Sequence, residues 1–139
     1  MPKVFVFGTL KEGFPNYRSN SGVRFRGEFE TIERYPLYLV GERYSPWLVL
    51  QKGSGSRISG QVFQVSDKAL AVMDKLERIT EPDGYNRVEM CVRCKVSNNP
   101  FVVYAYGKPR EQVNPKDVKR ELTGEYSAED AQLYRRRSS

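Results

Sequence analysis

The chain contains six or seven short apolar runs separated by turn residues, but only one long helical pattern of apolar residues. These runs do not alternate with helices, so they do not fit the repeated strand–helix units of a parallel α/β fold. Short strands that follow one another through turns are typical of antiparallel sheets and closed barrels. We therefore predict an α+β fold, with a small, mixed, mostly antiparallel, barrel-like sheet and one main helix over about residues 67–77.

The predicted elements are bounded by glycine, proline, asparagine and serine. The first strand, residues 4–7, is apolar throughout, which is typical of a strand buried on both faces. Further strands are predicted within residues 24–33 and at residues 38–40, 47–50, 58–65, 85–96 and 101–106. Asn114 and Ser127 are suitable helix N-caps, so short helices are expected over residues 115–122 and after residue 127.

Length and composition are those of a globular protein. A chain of 139 residues has the usual size of one domain, and no apolar run approaches the roughly 20 residues that cross a bilayer. We expect one domain over residues 1–139, with a flexible basic tail from about residue 127. The N-terminus enters a strand pattern at once and shows no signal-peptide pattern, so a cytoplasmic location and no membrane partner are expected.

The charge of the chain raises nucleic acid as a partner. The formal net charge is +6 and the isoelectric point is near 9.4. The basic excess lies late in the chain, at Lys116, Lys119, Arg120 and residues 135–137. A short basic end is more often solvated than a binding element, so specific nucleic-acid binding is not predicted.

The absence of histidine narrows the possible chemistry. It excludes Ser–His and Cys–His catalysis and zinc sites that use imidazole. Cys91 and Cys94 are three residues apart in a predicted strand, where their side chains point to opposite faces. We interpret them as structural cysteines and predict no metal and no cofactor. Acid–base chemistry would then use carboxylate, lysine, tyrosine or thiol groups.

One carboxylate lies on the apolar side of the predicted helix. At about 100° per residue, Leu70, Met73 and Leu76 form a stripe, and Glu77 lies on the same side. Burial disfavours a charged carboxylate and raises its pKa towards the value that a proton carrier needs near neutral pH. The pattern alone leaves open that Glu77, at the helix end, turns to water or pairs with Arg87.

A second candidate feature follows the first predicted strand, where the chain has the sequence Phe7-Gly8-Thr9-Leu10. A strand that ends in glycine can direct several consecutive backbone N–H groups into one concave site for a carboxylate. Taken alone the feature is weak, because a strand followed by Gly-Thr usually marks only a turn.

These features, taken together, resemble the γ-glutamylcyclotransferase-like superfamily. The segment over residues 4–13, with Pro15-Asn16, is similar to the N-terminal motif of that family. Further similar motifs follow in the same order: Tyr35-Pro36-Leu37, Pro46-Trp47-Leu48, the turn at residues 53–55, Gly60-Gln61-Val62-Phe63, Met73-Asp74-Lys75-Leu76-Glu77 and Tyr85-Asn86-Arg87. The resemblance covers about residues 3–107 and is greatest to the γ-glutamylamine cyclotransferase branch.

The resemblance implies a barrel-like fold with a central cavity and a small-molecule γ-glutamyl substrate, without cofactor or metal. It implies that the glutamyl group lies against Phe7, Gly8, Thr9 and Leu10, and that Glu77 is the catalytic glutamate. The implied reaction converts a γ-glutamyl-amine, such as γ-glutamyl-ε-lysine, to 5-oxoproline and a free amine by attack of the α-amine on the γ-carbonyl.

Two alternative functions stay open beside this one. A sister cyclotransferase would act on glutathione or γ-glutamyl-amino acids, and a binding domain of the same fold would have no activity. Phe7 stands where many family members have tyrosine, which bears on substrate preference. Tyr85 and Tyr126 are weaker candidates for substrate contact, because plain packing explains Tyr85 equally well and a mobile tail explains Tyr126 better.

Overall fold

The computed structural model describes residues 1–136, which form nine β-strands and two α-helices. In chain order these are β1 (Lys3–Val6), β2 (Val23–Arg24), β3 (Phe29–Tyr35), β4 (Leu37–Val40), β5 (Ser45–Leu48), β6 (Ser56–Gln64), α1 (Asp67–Leu76), β7 (Asn86–Cys94), β8 (Pro100–Gly107), β9 (Val118–Leu122) and α2 (Ala128–Leu133). The last residues of the predicted basic tail, 137–139, lie outside the described residues.

The larger sheet closes into a barrel. Its six strands run in the order β1-β8-β7-β3-β6-β2, and β6 also pairs with β1, so that all of them except β2 form a ring. The pairing of β1 with β8 is parallel and the other pairings are antiparallel. A second sheet has the order β5-β4-β9. The predicted α+β fold with a mixed, mostly antiparallel barrel is confirmed.

Strand β1 is apolar on both faces because it separates two buried clusters. Phe5 and the following Phe7 belong to the larger cluster, which contains residues from the barrel strands and from the second sheet. Val4 and Val6 belong to the cluster beneath α1. Successive side chains of a strand point to opposite faces, so this position explains the continuous apolar run. It also places the loop after β1 between the barrel and α1.

Helix α1 forms as predicted at its start but differs at its end. Ser66 caps it by accepting a hydrogen bond from the Ala69 N–H at 3.0 Å, and Leu70 and Met73 are buried. Leu76 was predicted on the buried stripe, and this is wrong, since the residue is 43% exposed. Leu76 lies about 120° from Leu70 on the helix, at the edge of the stripe.

The C-terminal part differs from the prediction in one element. Residues 115–122 were predicted as a helix, but they form a 3₁₀ turn, Pro115–Asp117, followed by β9. Asn114 does cap the turn, by accepting from the Lys116 N–H at 3.1 Å. Strand β9 pairs with β4, a partner more than seventy residues away that the local sequence does not reveal.

Ser127 caps α2 in a capping box with Asp130, which confirms the predicted helix there. The helix lies in the segment predicted to be a flexible tail, and the flexibility of that segment stays a prediction. Cys91 and Cys94 both lie on β7 and are free cysteines. Within residues 1–136, no helix is long and apolar enough to cross a membrane.

Candidate active site

A cavity of about 1020 Å³ is lined by the loop after β1, the end of α1, the turn between β4 and β5, and the segments that follow β8 and α2. Its lining includes every predicted site residue except Tyr126. The predicted site residues that line the cavity are Phe7, Gly8, Thr9, Leu10, Glu77 and Tyr85. The fold therefore brings the two features that the sequence singled out, the glycine loop and Glu77, to one cavity.

The loop after β1 has backbone donors that no acceptor in residues 1–136 uses. The Lys11 N–H donates to the Gly8 carbonyl at 3.1 Å, and the Asn16 N–H donates to the Thr9 carbonyl at 2.8 Å. The N–H groups of Gly8, Thr9 and Leu10 have no acceptor in residues 1–136. Consecutive N–H groups of this kind can hold a carboxylate or a carbonyl oxygen. The loop thus has the donors that the predicted anion site requires.

Glu77 is the C-terminal cap of α1, and the chain reverses direction immediately after it. The Arg78 N–H donates to the Lys75 carbonyl at 3.1 Å, and the Ile79 N–H donates to the Asp74 carbonyl at 3.2 Å. Arg78 has a φ of 56°, in the left-handed region. This combination is a Schellman motif, which defines where a helix stops and how the chain leaves it.

The turn from Arg78 to Tyr85 folds back against the end of α1. The Tyr85 N–H donates to the Glu77 carbonyl at 3.0 Å. Gly84 allows this close approach, because a Cβ atom at that position would overlap the Arg78 carbonyl oxygen. The backbone of Glu77 is therefore held from both sides, and the residue lines the cavity instead of turning outward to bulk water.

The carboxyl group of Glu77 is desolvated, although part of the residue is accessible through the cavity. Burial raises its pKa to about 7, and the ammonium group of Lys108 opposes this rise. Within residues 1–136 the carboxylate has no hydrogen bond and no ion pair; Arg87, the alternative partner, binds Asp74 instead. A carboxyl group with a pKa near 7 can both accept and donate a proton at neutral pH.

Asp74 links the end of α1 to the barrel. Its carboxylate accepts from the Arg87 guanidinium at 2.6 Å and from the Tyr106 hydroxyl at 2.6 Å. The pair fixes the last turn of α1 against β7 and β8, three residues before Glu77. The helical periodicity contained a sign of this, because Asp74 lies only about 40° from Leu70.

Lys108 is a buried cation that the sequence analysis missed. Its Nζ lies 4.4 Å from the ring centroid of Trp47 and 4.5 Å from that of Tyr85. It donates to the Asp83 carbonyl at 2.5 Å and to Gln112 Oε1 at 3.2 Å. All five residues line the cavity. A single lysine after a strand has no local pattern that would have marked it.

The two tyrosines predicted as weaker candidates differ in their positions. Tyr85 lines the cavity, and its hydroxyl donates to the Pro46 carbonyl at 3.1 Å. Tyr126 does not line the cavity, because its side chain is fully buried in the larger core cluster. Its ring centroid lies 5.7 Å from that of Phe14, and its carbonyl accepts from the Lys11 ammonium at 2.6 Å.

The C-terminal segment reaches the cavity through Tyr134 instead of Tyr126. The Tyr134 hydroxyl oxygen accepts from Asn16 Nδ2 at 3.1 Å and from Arg43 Nη2 at 3.0 Å. Two further hydrogen bonds join Arg135 to Arg43. The Arg135 N–H donates to the Arg43 carbonyl at 2.9 Å, and Arg43 Nε donates to the Arg135 carbonyl at 3.0 Å. Arg43 and Tyr134 were both missed, because the turn and the C-terminal segment meet only in the folded chain.

Comparison with known proteins decides the family. Residues 4–128 match the sequence profile of the family described as gamma-glutamyl cyclotransferase, AIG2-like. The chain belongs to this family. The resemblance noted in the sequence is thereby confirmed, and the match extends past residue 107 to include β9.

Relatives of the cyclotransferase family agree with this assignment. The γ-glutamylaminecyclotransferase of Bos taurus is 36% identical over 108 residues, which cover 74% of this chain and 63% of that protein. The Homo sapiens protein of the same name is 40% identical over 98 residues, covering 67% of this chain and 63% of that protein. The matched part of the chain thus spans less than two thirds of the length of these curated relatives.

The fold of the family is also seen in a solved structure. An AIG2-like protein from Mus musculus superimposes on this chain with a TM-score of 0.86 and 27% sequence identity. The superposition covers 100% of this chain and 98% of the mouse chain. The barrel and α1 therefore match the fold of an AIG2-like protein.

Proposed function

We propose that this chain is a γ-glutamylamine cyclotransferase, which converts a γ-glutamyl-amine such as γ-glutamyl-ε-lysine to 5-oxoproline and the free amine. The observation that carries the proposal is one cavity that contains both a carboxyl group with a pKa of about 7, on Glu77, and the unused N–H groups of residues 8–10. The names of the bovine and human relatives support the substrate class.

Glu77 is the proton carrier in the proposed mechanism. The α-amine of the substrate must lose a proton before it attacks, and the departing amine must gain one. Because its pKa is near neutrality, Glu77 can take a proton from the α-ammonium group and then return it to the departing nitrogen. Its carboxyl group is free to do so, since no hydrogen bond within residues 1–136 engages it.

The bond changes balance without a protein nucleophile. The α-nitrogen forms a bond to the γ-carbon, and the bond between the γ-carbon and the amide nitrogen breaks. Two protons leave the α-nitrogen and one remains on the lactam nitrogen. The departing amine receives both protons and leaves as an ammonium group, and Glu77 returns to its initial protonation state.

The loop after β1 holds the oxygen atoms of the substrate. The N–H groups of Gly8, Thr9 and Leu10 are placed to bind the glutamyl carboxylate or the γ-carbonyl oxygen, on which negative charge develops during attack. Phe7 and Tyr85 form apolar walls of the same cavity. Binding of the substrate by the N–H groups and by these walls would keep the α-amine close to the γ-carbon, which accelerates ring closure.

The direct test is to incubate the protein with γ-glutamyl-ε-lysine, γ-glutamyl-alanine and glutathione in parallel and to quantify 5-oxoproline by chromatography. We expect the largest kcat/KM with γ-glutamyl-ε-lysine. Product from only the other two compounds would assign the sister activity. Absence of 5-oxoproline with all three compounds would refute the proposed enzyme and favour a binding domain.

Replacing Lys108 by methionine is expected to move the acidic limb of the profile of kcat/KM against pH to higher pH. The wild-type limb should lie near pH 7, where Glu77 titrates. The Lys108 cation lowers the pKa of Glu77, so without this cation burial should raise that pKa further. Tyr85 and Tyr106 also interact with Glu77, but burial raises their pKa values, and they stay neutral in this range.

The matched control for this pH profile is Lys68→Met. Lys68 is exposed on α1 and does not line the cavity, so its loss removes the same charge without changing the surroundings of Glu77. An acidic limb that stays in place in Lys108→Met, or that moves equally in both variants, would contradict the assignment of the limb to Glu77.

A further inference from the structure

Arg43 and Tyr134 line the cavity and carry hydrogen-bond donors that the described part of the chain does not use. Arg43 uses Nε and Nη2, but its Nη1 has no acceptor in residues 1–136, and no carboxylate in that part of the chain forms an ion pair with it. The Tyr134 oxygen accepts two hydrogen bonds, so its own proton is available, and it too has no acceptor among the described residues. Both side chains line the cavity.

The positions of these two donors are fixed by several contacts. Arg43 is held through its side chain and its backbone by Arg135, and its guanidinium carbon lies 5.6 Å from the ring centroid of Tyr134. Asn16 holds the Tyr134 hydroxyl on the other side, with the same amide that donates to Thr9 Oγ1 at 2.9 Å. The donors are thus pre-organised, which lowers the entropy lost when a ligand binds.

An arginine and a phenol hydroxyl that line one cavity, with donors that no acceptor in residues 1–136 uses, suit a carboxylate, because a charged donor beside a neutral donor forms short, strong hydrogen bonds with it. We propose that Arg43 and Tyr134 form a subsite for the carboxylate of the departing amine, so that among γ-glutamyl-amines the enzyme prefers those whose amine carries a carboxylate, as lysine does. This inference rests on the proposed function and adds the feature that selects the leaving group.

The glutamyl part of the substrate has its own donors in the loop after β1. Arg43 belongs to the turn between β4 and β5, and Tyr134 follows α2, so the proposed subsite is built by different elements. A cavity of about 1020 Å³ has room for more than a glutamyl group, since pockets of roughly 300–1,000 Å³ hold drug-sized ligands. Asn16 contacts both Thr9 and Tyr134, which places the two groups of donors side by side.

The test compares two substrates that differ only in one carboxylate: γ-glutamyl-ε-lysine and γ-glutamyl-1,5-diaminopentane, which has hydrogen in place of the lysine carboxylate. We expect the wild-type chain to have a higher kcat/KM for the lysine compound. Tyr134→Phe and Arg43→Met should each lower that preference by about tenfold to a hundredfold, the usual effect of one hydrogen bond to a charged group. The change should lie in KM, and Arg43→Lys should restore part of it.

Matched controls are Tyr38→Phe and Arg34→Met, which make the same chemical changes at positions that do not line the cavity. They should leave the preference unchanged. Equal losses on both substrates in Tyr134→Phe and Arg43→Met would overturn the inference, because the pair would then act on the glutamyl part or on the fold. A wild-type chain without preference for the lysine compound would overturn it as well.

Calorimetric binding of both compounds separates this inference from the proposed function. The measurement is made in a Glu77→Gln background, where the substrate is not consumed. If the wild-type chain forms no 5-oxoproline, the proposed function fails, but the binding data still decide the subsite. Tighter binding of the lysine compound that is lost in Tyr134→Phe supports the subsite, and equal binding of both compounds refutes it.

Discussion

Replacing Glu77 by glutamine is expected to lower kcat for γ-glutamyl-ε-lysine by about 10²–10⁴-fold, the usual contribution of a general acid–base group. Glutamine keeps the size and shape of the side chain, but its amide cannot take the proton from the α-ammonium group. Because the carboxyl group has no hydrogen-bond partner within residues 1–136, the substitution breaks no hydrogen bond in that part of the chain. The measurement is steady-state formation of 5-oxoproline.

The matched control for this loss of activity is Glu81→Gln. Glu81 is exposed in the turn after α1 and is absent from the cavity lining, so the same loss of charge there should leave kcat unchanged. Circular dichroism of both variants checks that the fold is retained. Near-normal turnover in Glu77→Gln would rule out Glu77 as the proton carrier and, with it, the proposed mechanism.

The same substitution is expected to stabilise the folded chain at pH 8 but much less at pH 5. The pKa of Glu77 is raised from 4.5 to about 7 in the folded state. Between these values the folded state binds a proton that the unfolded state has lost, so the stability of the wild-type chain falls as the pH rises. Above pH 7 the charged carboxylate remains desolvated, and the penalty is complete.

The expected size follows from the shift and from the access of water. A shift of one pKa unit corresponds to about 1.4 kcal/mol, and the open side of the cavity screens part of this. We expect Glu77→Gln to raise the free energy of unfolding by about 2–3 kcal/mol at pH 8 and by less than about 1 kcal/mol at pH 5. Urea denaturation of both proteins at each pH gives the difference.

Taking the difference between the variant and the wild-type chain removes the contributions of the other titrating groups. Asp83, for example, has a lowered pKa because Arg78 donates to it, and this is the same in both proteins. Glu81→Gln again serves as the control and should show no pH-dependent gain. A stabilisation by Glu77→Gln that is equal at pH 5 and pH 8 would show that Glu77 has no raised pKa. This outcome does not depend on the substrate.

The local elements of the fold could be predicted where short-range patterns decide the structure. The continuous apolar run at β1, the Ser66 cap and the spacing of Leu70 and Met73 each depend on residues close in sequence. The helix predicted over residues 115–122 was wrong because pairing with β4 stabilises residues 118–122 as β9. A strand's partner lies far away in sequence, and propensity alone carries no information about it.

The candidate site could be predicted only in part, for a related reason. Glu77 was found because a carboxylate on an apolar helix face is a local anomaly, and the loop after β1 was found because its sequence resembles the N-terminal motif of the family. Lys108 is unremarkable in its local sequence and gains its role only by lying between two rings. Tyr126 was a weaker candidate for substrate contact, and its side chain is instead buried in the core.

The sequence by itself determined the α+β class, the helix that carries Glu77 and the loop that supplies the backbone donors, because periodicity and turn chemistry act over a few residues. Only the tertiary structure decided that Lys108 lies near Glu77 and that Arg43 and Tyr134 meet at the cavity. Those contacts join residues about 30 to 90 positions apart. They exist only after the barrel closes, the second sheet forms and α2 directs the C-terminal segment to the cavity, and each of these steps depends on long-range packing.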